Sequence, residues 1–187
     1  NQKNLNNREI YYPRGKVLGG SGSINAMIYA RGLRTDFENW NFNKNWSWGN
    51  IKATYEEIEF AINDKTKKIP SNKIPVNDVS NQHHPILKNF FDAADDFKFT
   101  FNKQLKSSIE NQVGNYNVNI FNGFRVSSAK IFLKPIKNHP NLTLFTKTEV
   151  LKLNYENKKI SSLEIKHKNT IITVRPKVGV ILSSGSI

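Results

Sequence analysis

Residues 13–25, PRGKVLGGSGSIN, place four glycines and two serines between basic residues and an apolar run. Glycine lets the backbone take positive φ and lets a ligand approach the main chain closely. Successive backbone N–H groups at the start of a turn form a concave anion site. Ser21 and Ser23 add hydroxyl donors, so the residue types suit a phosphate. A solvated linker shares this composition, but Val17-Leu18 before the paired Gly19-Gly20 and Ile24 after them have no use in a linker. No Gly-Lys-Ser/Thr follows at the Walker spacing, and no GxGxxG follows a strand. The cradle therefore belongs to another class of phosphate site.

Other chemistry-bearing residues are less organised. His83-His84 precede Pro85 with no carboxylate or cysteine at ligand spacing, so a solvated loop pair is favoured over a metal site. Asp95-Asp96 are adjacent on an expected helix and point apart, as on a solvated face. Trp40, Trp46 and Trp48 read as a packed helix–loop cluster rather than a base-stacking platform. His139 before Pro140 reads as a turn residue. There are no cysteines, which removes disulfides, thiolate nucleophiles and cysteine metal sites and fits a reducing compartment. The expectation is a cytoplasmic chain, or one peripheral to the inner membrane. No apolar run reaches the roughly 18 residues of a membrane span. Net charge is +13. The lysines are scattered, with KTKKIP (65–70) the only dense run, so the charge speaks to solubility and gives no nucleic-acid footprint.

The elements that must hold the glycine stretch follow from spacing. The 187 residues suit one domain or a large piece of one, and an aromatic fraction of 11% argues against disorder. Residues 6–13 read as an extended arm ending at Pro13. A helix is expected over 23–32, capped by Ser23, and a short one over 35–40 with Thr35 as cap and Glu38 at the capping-box position. Apolar residues three to four apart predict helices over 45–62 and 85–97. Residues 63–82 read as an irregular excursion, 114–121 as a strand, and 127–136 as a short helix stopped by Pro135. Strands are expected over 142–148, 149–157, 160–167 and 170–176, then a buried apolar strand from 177 running into a Ser-Ser-Gly turn. Helices followed by an antiparallel run point to α+β or mixed α/β.

Residues 13–40, PRGKVLGGSGSINAMIYARGLRTDFENW, resemble the first signature of the glucose–methanol–choline (GMC) flavin oxidoreductases, over Gly15, Leu18, Gly19-Gly20, Ser21, Asn25, Tyr29, Gly32 and Glu38. NWSWGNIKATYEEIE resembles the family's Gly-Trp-Ser/Asn helix, with Asn45 where glycine is usual. Residues 122–153 resemble its Arg-x-Ser-x-Ala-x-x-x-Leu-x-Pro stretch, and VILSSGSI (180–187) the turn that ends the family's amino-terminal region. The resemblance covers nearly the whole chain.

It implies part of an FAD-binding, Rossmann-like domain plus part of a substrate domain, lacking the first βαβ unit. The expected division is 1–62 for the FAD signature and following helices, 63–140 for the excursion and the start of the substrate-domain sheet, and 141–187 for strands returning to the FAD-binding domain. Gly19, Gly20 and Ser21 are expected at the FAD pyrophosphate and ribityl chain, and Asn25, Ala26 and Met27 at the flavin end. Val150 is expected at the adenine, with Ser184 and Gly185 lining the cofactor again. Ile24 stands where some members carry the histidine bonded to flavin, so noncovalent FAD is expected. Arg125 and Asn122 are expected on the substrate side. The implied reaction oxidises a small-molecule alcohol by hydride transfer to flavin N5, with a base taking the hydroxyl proton. The family's catalytic histidine region has no counterpart here. The chain reads as an internal fragment, inactive, marginally stable and weak in binding FAD alone, whose partners are the remaining parts of the same enzyme. A noncatalytic remnant without cofactor, and a basic module for nucleic acid or an anionic surface, are the competing readings.

Overall fold

The computed structural model describes residues 3–40, 43–63 and 65–185. The chain divides into two compact units, Asn1–Ile136 and Lys137–Ile187. The fold is mixed α/β.

In the first unit the glycine stretch forms a tight 3-10 turn over Gly20–Ser23, and the chain then extends into a short strand, Ile28–Tyr29 (β1). The helix expected over 23–32 does not form. Met27 takes a left-handed backbone at φ 65°, which interrupts any right-handed helix at that point. Helix Arg34–Trp40 (α1) matches the expected short helix but starts one residue earlier. Its first turn is held by Asp36, whose carboxylate accepts the Leu33 N–H at 2.8 Å, instead of by Thr35. Glu38 pairs with Arg34 at 2.6 Å and makes no capping box. Helix Trp48–Ile58 (α2) stops earlier than the sequence reading and passes directly into strand Glu59–Ala61 (β2).

The expected irregular excursion contains a strand, Ile74–Asp78 (β3). Helix Leu87–Asp96 (α3) follows, then the strand Thr100–Gln104 (β4). The expected single strand over 114–121 is split into Gln112–Asn115 (β5), Asn117–Val118 (β6) and Ile120–Phe121 (β7), followed by Phe124–Arg125 (β8). One four-stranded sheet has the order β1-β6-β3-β2, and β4 pairs with β5 and β7 with β8. Both parallel pairs, β2 with β3 and β4 with β5, are joined by loops without a helix, so neither is a βαβ dinucleotide unit. The β7–β8 hairpin turns at Asn122 and Gly123, with φ of 50° and 75°, the geometry that matches strand twist and favours Asn-Gly. A single π-type turn, Ala129–Leu133, then gives way to a 3-10 turn, Lys134–Ile136, that contains Pro135.

Packing is concentrated in a few places. Phe37 is buried against Trp40 and Trp48, ring centroids 5.3 and 5.8 Å away, and Trp40 meets Trp46 at 6.2 Å, the tryptophan cluster expected from sequence. Val126 and Ile131 are buried beside the glycine stretch's supporting hairpin, and Pro75 is fully buried in β3.

The second unit is an antiparallel meander of Thr148–Glu156 (β9), Lys159–His167 (β10) and Thr170–Val174 (β11). Its turns place Asn157-Lys158 and Lys168-Asn169 at positive φ, as two-residue hairpins require. Ile165 is its buried apolar residue, next to a register shift at Glu164/Ile165. Two expectations fail here. Residues 142–147 are not a strand. Residues 177–183 are neither a strand nor buried: Val178, Ile181 and Leu182 are 103%, 91% and 64% exposed. A strand apolar on both faces needs neighbours on both edges and layers on both faces, and no described strand pairs with this one. Residues 186–187, the end of the expected turn, lie outside the described residues.

Candidate functional site

The glycine loop is a folded object in its own right. Gly19 has φ 89°, and a Cβ there would meet Ser23 Oγ at 2.5 Å and the Ala129 methyl at 3.2 Å. Gly15 packs backbone to backbone on Gly20. These two glycines let the loop close on itself. Gly20 and Gly22 differ: a Cβ on either would meet nothing within 4 Å, so bare main chain faces open space there. The serines staple the loop. Ser23 Oγ donates to the Leu18 carbonyl at 2.9 Å, and Ser21 Oγ accepts the Gly15 N–H at 3.2 Å. The Ser23 hydroxyl, expected as a ligand donor, is thus committed internally.

At the corner that ends the loop, Asn25 and Ala26 are exposed and Met27 is half-buried. Met27 is fixed from both sides: its N–H donates to Asn25 Oδ1 at 3.0 Å, and its carbonyl accepts the Asn119 N–H at 2.8 Å. A methionine in left-handed backbone is strained, and such strain persists only where neighbours over-determine it. Arg125, expected on the substrate side, reaches this corner from β8. Its Nη1 donates to Asn25 Oδ1 at 2.5 Å and its Nη2 to the Asn25 carbonyl at 2.6 Å. Asn122 sits in the hairpin turn that aims Arg125. Gly22, Asn25, Met27, Arg125 and Ile131 line a cavity of about 190 Å³.

A second constellation was not anticipated from sequence. Glu59, at the start of β2, receives Arg31 Nε at 2.7 Å on one oxygen and Arg31 Nη2 on the other, and Tyr29 Oη also donates to it. The Arg31 guanidinium lies 5.2 Å from the centre of the Tyr55 ring. Burial, then the hydrogen bond and charge of Glu59, push the Tyr29 phenol well above its ordinary value. The Glu59 hydrogen bond holds the Arg31 guanidinium more firmly protonated than usual, against its partial burial. Tyr29, Arg31 and Glu59 line a cavity of about 920 Å³ with Trp48, Gln104 and Asn117. Asn117 Oδ1 is the buried side-chain atom without a partner among the described residues. Nothing in local spacing signals this group, because Arg31 and Glu59 meet only when β1 and β2 enter one sheet.

Asp78 closes β3. Burial would raise its carboxyl, but the Ser80 N–H at 2.9 Å, the Ser80 and Gln104 side chains and Lys103 at 3.7 Å outweigh that and hold it at about 2. His84 Nδ1 accepts the Ile86 N–H at 3.2 Å, a local turn contact.

In the second unit, Val150 lies on β9, an edge strand whose outer side pairs with no described strand. Val150 is paired with Ile165 of β10 and is 55% exposed. Ser184 and Gly185 are exposed, and Gly185 has φ 96°, a sharp left-handed turn.

Against known proteins, the family model described as GMC oxidoreductase matches residues 2–187. The match covers nearly the whole chain, and the chain belongs to the GMC oxidoreductase family. It is 33% identical to an alcohol dehydrogenase [acceptor] of Pseudomonas putida, over 100% of this chain and 35% of the relative. It is 28% identical to an oxygen-dependent choline dehydrogenase of Staphylococcus xylosus, over 100% of this chain and 34% of the relative. Among solved structures it is similar to pyridoxine 4-oxidase from Mesorbium loti, with TM-score 0.75 and 25% identity over 87% of this chain and 33% of that one. An FAD-dependent oxidoreductase from Chaetomium thermophilum has TM-score 0.77 at 21% identity, over 92% of this chain and 33% of that one, a likeness of fold. The chain thus spans about a third of the length of the relatives it matches.

The family implies FAD, and the glycine loop fits it. Beside Gly20 and Gly22 the main chain borders open space that a ligand can approach closely, and a side chain at either position would occupy it.

Proposed function

We propose that this chain is the part of an FAD-dependent alcohol oxidoreductase that grips the cofactor. The supporting observation is the contrast within one loop between glycines packed on their own chain, Gly15 and Gly19, and glycines beside open space, Gly20 and Gly22. Gly19, Gly20 and Ser21 would hold the pyrophosphate and ribityl chain, with Asn25, Ala26 and Met27 against the flavin ring. For the second unit the reading rests on resemblance: Val150 would offer backbone to adenine, and Ser184 and Gly185 would line the cofactor.

When bound, FAD supplies an acceptor for hydride from the carbon of a CH–OH group. The chain's own residues bind and orient it. The loop gives main-chain contacts, Arg125 and Asn119 fix the corner that faces the ring, and Ile24 offers no nucleophile, so FAD is held noncovalently. No described residue is assigned to proton transfer. Alcohol turnover would need the rest of a full-length enzyme, and the chain alone is inactive.

The test is FAD titration of the chain, followed by flavin fluorescence, beside Gly22→Val. Gly22 has no positive φ and open space at its Cβ, so valine should leave the far-ultraviolet circular dichroism unchanged while weakening FAD at least tenfold. Equal affinity in both would overturn the loop as the cofactor grip, and a chain that takes up no FAD would favour the noncatalytic remnant. Acid precipitation of the loaded protein should leave all flavin in the supernatant.

A further inference from the structure

Asn25 Oδ1 accepts two hydrogen bonds, from Arg125 Nη1 at 2.5 Å and from the Met27 N–H at 3.0 Å. Both neighbours are donors, so this end of the amide must be the oxygen, and the orientation is settled chemically. The Nδ2 hydrogens then face the other way, where no described residue accepts them and the side chain is exposed. Arg125 also grips the Asn25 backbone carbonyl at 2.6 Å, so the guanidinium holds both ends of the residue as a fork. Its position is set by the Asn122-Gly123 turn and by the pairing of Arg125 with Ile120. A positive charge on the amide oxygen also polarises the amide and makes Nδ2–H a better donor.

We infer that Arg125 is a positioning residue: it locks the Asn25 amide so that Nδ2 is presented as a fixed hydrogen-bond donor to an acceptor atom, a carbonyl oxygen or ring nitrogen, at the ring end of the bound flavin. This rests on the reading of the loop as an FAD grip. Left free, the amide would rotate and offer oxygen and nitrogen in turn. Clamped, it offers only a donor, which suits a ring system that gains negative charge on reduction.

Three variants of the chain separate the parts. Hydrogen exchange at the Met27 amide, measured without cofactor, reads the clamp. FAD affinity and the visible spectrum of bound flavin read the donor. Arg125→Ala should speed Met27 exchange at least fivefold and weaken FAD about tenfold, with β9–β11 amides unchanged. Arg125→Lys, which keeps the charge and loses the fork, should recover part of both. Asn25→Asp keeps an oxygen for Arg125 and Met27 and replaces Nδ2 by an acceptor. It should leave Met27 exchange at the wild-type rate while weakening FAD at least tenfold and altering the flavin bands. Unchanged Met27 exchange in Arg125→Ala overturns the clamp. Unchanged affinity and spectrum in Asn25→Asp overturns the donor. A wild-type chain that takes up no FAD defeats the underlying flavin reading, while Met27 exchange still judges the clamp.

Discussion

Glu59 answers three donors from two residues, and its side chain is only 13% exposed. Removing its charge leaves the Arg31 guanidinium, 28% exposed, without its paired carboxylate. Glu59→Gln is therefore expected to cost about 1–3 kcal/mol, between the values for exposed and fully buried pairs because water still reaches Arg31. A fall in the urea midpoint at unchanged slope checks it. Asp78 makes a pH-dependent contribution. Its carboxyl is held at about 2 in the fold, below its ordinary 3.8. A depressed carboxylate stabilises the fold above its unfolded pKa, and the contribution is lost as pH falls from about 4 through 2. Asp78→Asn should flatten acid unfolding in that window by on the order of 1 kcal/mol after solvent screening, measured by fluorescence at stepped pH. These partners were illegible in the sequence. Arg31 and Glu59 lie 28 residues apart and Arg125 and Asn25 lie 100 apart, and no periodicity links them. The glycine loop was legible because its chemistry is local and its neighbours are apolar.

At the scale of elements, the sequence reading succeeded where periodicity and turn chemistry agreed. Helix α3 and the β9–β11 meander, with Asn and Lys in two-residue turns, are cases. It failed where tertiary geometry overrode local propensity. The helix formers after Ser23 yield to β1 because Met27 is held left-handed from both sides, and 63–82 hides β3 because both its pairing partners, β2 and β6, lie outside that segment. The loop's own packing predicts a contrast. Gly19→Ala sets a methyl into Ser23 Oγ at left-handed φ and should destabilise the first unit by about 1–2 kcal/mol. Ile165→Ala should cost the second unit about 2–4 kcal/mol through lost burial and a cavity. Hydrogen exchange resolved by segment reads each effect in its own unit.

For the whole molecule, two surface properties pull in opposite directions. The net charge of +13 repels copies of the chain, while Val178, Ile181 and Leu182, within five residues of one another, are exposed to water. In relatives about three times as long, chain beyond this third is available to cover such a run, and a composition-based reading sees only that the run is apolar. Salt screens the repulsion and leaves the apolar attraction. Light scattering should therefore rise with ionic strength, and Ile181→Lys should lower it without changing circular dichroism.

Met27 carries a last consequence. Glycine would sit at φ 65° without strain, so Met27→Gly should raise the melting temperature of the first unit by a few degrees. If methionine's side chain serves the ring end of the cofactor, that gain would come at the expense of affinity. The residue would then mark a point where selection has held thermal robustness below what the backbone allows.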